Sequence, residues 1–302
     1  MYGNGGLNTS YTKPIGLFGS SKAGVNISQL FVTPTVSYKI TENHSVGLGV
    51  NFLYQQFKAT GLENFAATPP PPNPTPSSSP QNVTNRGSDT STGWGARVGW
   101  TGKITSILTL GATYQTKTKA SKFKKYEGLF AQGGDFDVPA NYAVGVAVKP
   151  ISPLTVALDV EKIEFSKVKS VGTKLLPAFA TAQLGTNGGA GFGWKDVVEE
   201  KLGVAYDLNE DWTVRAGYNH SSQPIPTSQT LFNVLAPAVI ENHVTLGATV
   251  KTSKTTDVSL AYVHAFKKTV NGSNSIPANF GGGNADLTMS QNSVSADFGV
   301  RF

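Results

Sequence analysis

The chain has 302 residues, of which only 39% are hydrophobic and 15% charged, with a formal net charge of +6. Both fractions lie below the globular norm of roughly 45–50% apolar and about 25% charged, which argues against a conventional soluble core. No stretch of about 18 residues is free of polar side chains, so transmembrane helices are excluded, and the lack of cysteine excludes disulfide scaffolds and thiolate metal sites. Lys and Arg are scattered rather than gathered into a basic arm, so no nucleic-acid partner is expected.

In chain order, residues 1–27 open on MYGNGGLNTS, without the basic-then-apolar order of a signal peptide. From there apolar residues alternate with small or polar ones at period two, the pattern of β-strands. Eleven strands are predicted, at 28–40, 45–60, 92–102, 106–118, 139–149, 153–166, 196–207, 211–221, 241–251, 255–268 and 290–302. The alternation is plainest in 107–116, where Leu108, Leu110, Ala112 and Tyr114 oppose Thr109, Gly111, Thr113 and Gln115. In the last strand Val294, Ala296, Phe298, Val300 and Phe302 share one face.

The connections alternate between short and long. Short turns fall at TENH (41–44), KITS (103–106), ISP (151–153), NED (209–211) and TSKT (252–255). Long loops fall at about 61–91, 119–138, 167–195, 222–240 and 269–289. A transmembrane barrel sorts its connections this way, with short periplasmic turns and long extracellular loops. The expected fold is therefore all-β, an antiparallel transmembrane β-barrel of the outer membrane occupying 1–302, with a soluble Greek-key sandwich as the competing reading. The 61–91 loop carries PPPPNPTPSSSP (69–80), a polyproline II segment exposed at the extracellular surface.

In such a barrel the apolar face meets lipid and lipopolysaccharide while the small and polar face lines the lumen. Trp94, Trp100, Tyr142, Trp194, Trp212, Tyr218, Tyr262, Phe266 and Phe302 are candidates for the aromatic girdles. Phe302 also closes an alternating strand, the ending by which the barrel assembly machinery recognises its clients. An odd count leaves the termini on opposite rims, so either strands are missing at the N-terminus or residues 1–27 hide one.

The runs GVNISQLFVTPTVSYKITENHSVGLGVNFLYQQFK, GWGARVGWTGKITSILTLGATYQT, GWKDVVEEKLGVAYDLNEDWTVRAGYNHSSQPIP and the terminal SADFGVRF resemble the FadL-type outer-membrane transporters of long-chain fatty acids and other hydrophobic compounds. The resemblance covers nearly the whole chain. It implies a monomeric fourteen-stranded barrel plugged by an N-terminal hatch, with ligand taken up at the extracellular loops and passed through a kink in an early strand. The hatch and about three strands have no counterpart in these residues, so the chain is read as N-terminally incomplete, starting at an internal methionine.

Apolar runs in the long loops agree on ligand class: LLPAFA (175–180), with Leu176 and Phe179, and Leu231 to Pro237, with Leu231 and Phe232. They form either a landing surface for a greasy ligand or a cap of loops packed on one another, and the two are compatible. A carboxylate head group calls for a cation in the lumen. By strand parity Lys195, Arg97, Arg215, Lys201 and Arg301 face inward, and the resemblance makes Lys195, in GWKD, the head-group residue. Lys58, in NFLYQQFK, resembles a second family lysine motif, although the arginine that accompanies it is replaced around Gln55 to Phe57. The alternative for these charges is a structural ion pair, such as Arg215 with Asp159 or Glu161.

Catalysis finds no support: His44, His220, His243 and His264 lack zinc-site spacing, and no G-x-S-x-G elbow, Walker A loop or dinucleotide turn occurs. The expected function is passive, cofactor-free uptake of long-chain fatty acids or other hydrophobic small molecules across the outer membrane. A porin for polar solutes and a structural or receptor barrel, serving adhesion or phage attachment, remain the alternatives.

Overall fold

A computed structural model describes residues 2–68 and 75–301. Residues 69–74 of the Pro-rich loop and the terminal Phe302 therefore lie outside the described residues. Among the described residues fourteen strands form one antiparallel sheet: β1 (Tyr2–Ser10), β2 (Gly24–Val32), β3 (Thr35–Lys39), β4 (His44–Thr60), β5 (Asp89–Lys103), β6 (Leu108–Gln115), β7 (Lys119–Ala120), β8 (Asn141–Ile151), β9 (Leu154–Ile163), β10 (Val197–Asp207), β11 (Trp212–Ser221), β12 (Asn242–Lys251), β13 (Thr256–Val270) and β14 (Leu287–Val300). Neighbours in sequence pair in order, with β3 and β7 off the main path.

The two short strands continue longer ones. β2 pairs with β4 from Thr60 to Phe52 and β3 resumes from Gly49 to Ser45, so the predicted strand 28–40 is one span broken at Thr33–Pro34, where proline has no N–H to donate. β7 pairs with β5 beyond the end of β6. The sheet thus holds one more span than the eleven expected. The extra one is β1, hidden within residues 1–27, paired with β2 from Tyr2↔Phe31 to Ser10↔Gly24. Its glycines and asparagines give no apolar alternation, so its partner rather than its composition makes it a strand.

Four of the five short turns, all but that at 151–153, are fixed by a side-chain oxygen that mimics a further backbone acceptor. The Thr41 hydroxyl accepts the His44 N–H at 3.1 Å, Thr105 that of Leu108 at 3.1 Å, Asn209 that of Trp212 at 2.9 Å and Ser253 that of Thr256 at 3.1 Å. Every long connection leaves from the opposite rim, and with β1 counted the loop at 11–23 joins that set.

The wall is apolar on the outside. Leu48 (60% exposed), Val144 (61%), Leu260 (57%) and Val294 (78%) stand out from the sheet, while Gly47, Gly145 and Ser259 beside them face in. Trp94, Tyr142, Trp212, Tyr218, Tyr262 and Phe266 are likewise exposed, as girdle residues should be; Trp194 is not, and lies inside. The buried core sits elsewhere, in the long loops. Phe18, Leu62, Phe65, Val83, Phe123, Tyr126, Leu175, Leu184, Leu231 and Phe232 pack into one cluster that roofs the barrel.

Candidate functional site

Beneath that roof lies a cavity of about 420 Å³. Leu7 of β1, Val25 and Ile27 of β2, and Phe57 of β4 supply one side of it. The 116–140 connection supplies another. It turns inward at the Thr118–Val138 bridge, held where the Gln55 amide donates to the Phe136 carbonyl at 3.0 Å, so that Phe130, Phe136 and Val138 reach the cavity. Phe165, Val171, Phe192 and Trp194, from the connection between β9 and β10, complete the apolar surface. Trp194 is oriented by its indole N–H, which donates to Asn233 at 2.5 Å.

The polar lining groups are few: Gln29, Arg97, Asp137, Asn141 and Glu161. Arg97 donates to Gln115 Oε1 at 2.8 Å. Asp137, 2% exposed, accepts the Ala120 N–H at 2.9 Å and pairs with Lys119 at 3.0 Å and Lys117 at 3.6 Å. Burial, and then the nearby charge of Asp137, push the Asp135 carboxyl above the usual carboxylate range. Glu161 pairs with Lys201 at 2.7 Å, and Lys201 also reaches Glu199 at 3.0 Å.

Of the predicted cations, Arg97 alone lines this cavity. Lys195 is exposed beside the buried Val197, and its backbone N–H rather than its ammonium is engaged, with the Pro224 carbonyl at 2.8 Å. It precedes β10, so no ladder enforces the parity that pointed it inward. Lys58 is exposed on the outward side of β4 with Tyr54 and Phe52, among Asn8, Asn26 and Gln56 near the loop rim. Arg215 faces a lower hollow and donates to Thr249 at 2.6 Å, not to Asp159 or Glu161.

The four predicted apolar residues lie in the roof. Leu231 is 1% and Phe232 7% exposed, and Leu176 and Phe179 pack partly buried against the same cluster. Phe179 meets Phe65, Phe232 and Phe280 at ring centroid distances of 6.0, 6.4 and 5.4 Å. These side chains build the cap rather than an exposed landing patch. Phe57, Phe136 and Asn141 went unrecognised in the sequence and Trp194 was read as a girdle residue, the first because parity was not followed along β4, the others because they belong to loops or strand ends. Among the described residues no group of three His, Asp or Glu converges as a metal site.

An antiparallel wall apolar on the outside, with a small capped chamber within, defines an outer-membrane barrel that handles compounds of low polarity. The whole chain, residues 1–302, matches the family described as outer membrane protein transport protein (OMPP1/FadL/TodX), and it belongs to that family. Members are transport channels, not enzymes, and the protein is accordingly an outer-membrane transport protein for hydrophobic compounds.

Solved structures share the fold. A Pseudomonas aeruginosa FadL homologue is similar at TM-score 0.68 and 18% identity, over 97% of this chain and 71% of that one. The P. putida toluene transporter TodX gives 0.64 and 19%, over 98% and 77%. The Ralstonia pickettii toluene transporter TbuX gives 0.63 and 17%, over 99% and 76%. No curated protein matches the sequence.

Proposed function

We propose that the protein takes up hydrophobic small molecules by passive diffusion, receiving them in the capped cavity on their way from the outer surface. The observation that carries this reading is the cavity of about 420 Å³ beneath the roof, walled by Phe57, Phe130, Phe136, Phe165, Phe192 and Trp194. That volume falls within the roughly 300–1,000 Å³ of small-molecule sites, and its surface is apolar with a few placed polar groups, as such sites are. Toluene, the compound that the similar transporters TodX and TbuX carry, belongs to the same ligand class. Long-chain fatty acids belong to it as well, although the cation expected to meet their head group, Lys195, lies outside the cavity. No energy coupling is required, because burial of each methylene returns about 0.8 kcal/mol and drives capture. The exposed apolar wall would contact outer-membrane lipid, with lipopolysaccharide at the rim around Lys58, and the protein would act as a monomer.

Trp194 supplies the test, because it is the tryptophan that lines the cavity. Titrating the folded protein with toluene or a fatty acid should quench or shift its fluorescence. Phe130→Ala combined with Phe136→Ala should weaken binding about tenfold or more, as loss of two buried rings costs well over 1.4 kcal/mol. Lys195→Ala should bind as the wild type does. Unaltered affinity in the double variant would place the ligand elsewhere and remove this reading.

A further inference from the structure

The polar side chains that line the cavity are engaged unequally. The Gln29 amide donates to Gln55 at 2.9 Å, Arg97 donates to Gln115 at 2.8 Å, and Asp137 accepts from Lys119 at 3.0 Å and from the Ala120 N–H at 2.9 Å. Glu161 accepts from Lys201 through Oε2 at 2.7 Å, while its Oε1 has no partner among the described residues. Asn141 has none at either end of its amide among those residues. Asn141 and Glu161 are both partly exposed and both line the cavity, so a molecule inside it can reach them.

The β-ladder brings these two together. Across β8 and β9, Asn141 opposes Ile163 and Ala143 opposes Glu161, so Asn141 and Glu161 are diagonal neighbours on the inward face, a spacing that long side chains span. Between them they offer N–H donors and a carboxylate oxygen. A hydroxyl is donor and acceptor at once, so it can use both: its O–H donates to Glu161 in a charge-assisted bond while its oxygen accepts from Asn141. A carbonyl or ether oxygen can use Asn141 alone. A carboxylate would stand beside the Glu161 carboxylate, and an ammonium beside the Lys201 ammonium that Glu161 already holds.

We infer that Asn141 and Glu161 form a recognition site for the hydroxyl group of an otherwise hydrophobic ligand, an alcohol or a phenol, whose apolar body fills the aromatic part of the cavity. This rests on the uptake reading and narrows it. Lys201 also pairs with Glu199 at 3.0 Å, so Glu161 can share its carboxylate with a ligand without leaving that ammonium unpaired.

Toluene, benzyl alcohol, benzyl methyl ether, benzylamine and benzoate carry different substituents on the same ring. They separate the cases when each is titrated against Trp194 fluorescence in the folded wild-type protein. Benzyl alcohol should bind about fivefold or more tighter than the ether, because the charge-assisted bond to Glu161 outweighs the methyl group that replaces the hydroxyl proton. Asn141→Leu and Glu161→Met should each lower the ratio of benzyl alcohol affinity to toluene affinity about fivefold or more. Lys195→Ala, outside the cavity, should leave that ratio as it is. Ether binding as tight as that of the alcohol would overturn the site. So would a ratio that both variants leave unmoved, or tightest binding by benzylamine or benzoate. Failure of toluene and all four derivatives to bind would instead remove the uptake reading beneath it.

Discussion

The wall and the roof of this barrel use the same apolar residue types to opposite ends. In the wall Leu246 and Phe298 are 55% and 68% exposed, whereas in the roof Phe65 and Leu231 are 2% and 1% exposed. The wall satisfies its backbone strand to strand and leaves its apolar side chains for lipid, so its stability depends on the membrane. The roof has irregular backbone and depends on packing, like a small soluble domain set on the rim. The low hydrophobic fraction of the chain follows from this division, because half of each strand is turned to a lumen that needs small and polar residues.

Phe65→Ala separates the two regions most sharply. Phe65 packs against Phe18, Phe232 and Phe280 at centroid distances of 5.7, 5.2 and 5.4 Å. Its truncation should cost about 3–5 kcal/mol, all of it in the roof. Hydrogen exchange should rise across 61–66 and 228–236 while amides of β10 to β13 stay protected; a wall that opened together with the roof would refute the division. The converse experiment places a charge on the wall. Leu246→Arg, on the outward face at mid-strand, should lower the stability of the membrane-inserted barrel by about 2–4 kcal/mol, whereas Thr245→Arg, one residue away and facing the lumen, should cost much less. Urea titration of folding into vesicles reads both, and equal losses would show that Leu246 does not meet lipid.

The same division explains what could be read from the sequence. Period two located the wall strands to within a few residues, and turn residues sorted the rims, because both are local consequences of strand geometry. β1 escaped because Tyr2–Ser10 has Leu7 as its one inward apolar residue among the described side chains, and pairing with β2 decides its state. Arg97 was placed correctly by parity inside a strand, and the same rule applied to Lys58 puts it outward with Tyr54. Parity ends where the ladder ends, so Lys195 and Trp194, two adjacent residues before β10, exchanged their expected places. The cavity wall at 130–139 was illegible for the same reason, since its inward course depends on Gln55 and on the Thr118–Val138 bridge.

The mildest test concerns Asp135, where roof and cavity meet. Its carboxyl is raised above the usual range by burial and then by Asp137, so the folded protein retains a proton that the unfolded chain releases. Stability from this group is complete below the unfolded value, about pH 3.9, and is lost as pH rises through the raised folded value. Roof opening, followed by proteolysis of the 119–138 connection, should therefore become easier from about pH 4 toward neutrality. Asp135→Asn removes the titration and should leave the roof more resistant at neutral pH, with little change near pH 4. The wild-type profile sums every group that titrates in this range, so the difference between variant and wild type is the quantity to measure. Parallel profiles would mean that Asp135 is solvated as freely in the roof as in the unfolded chain, and that the roof there is open to water.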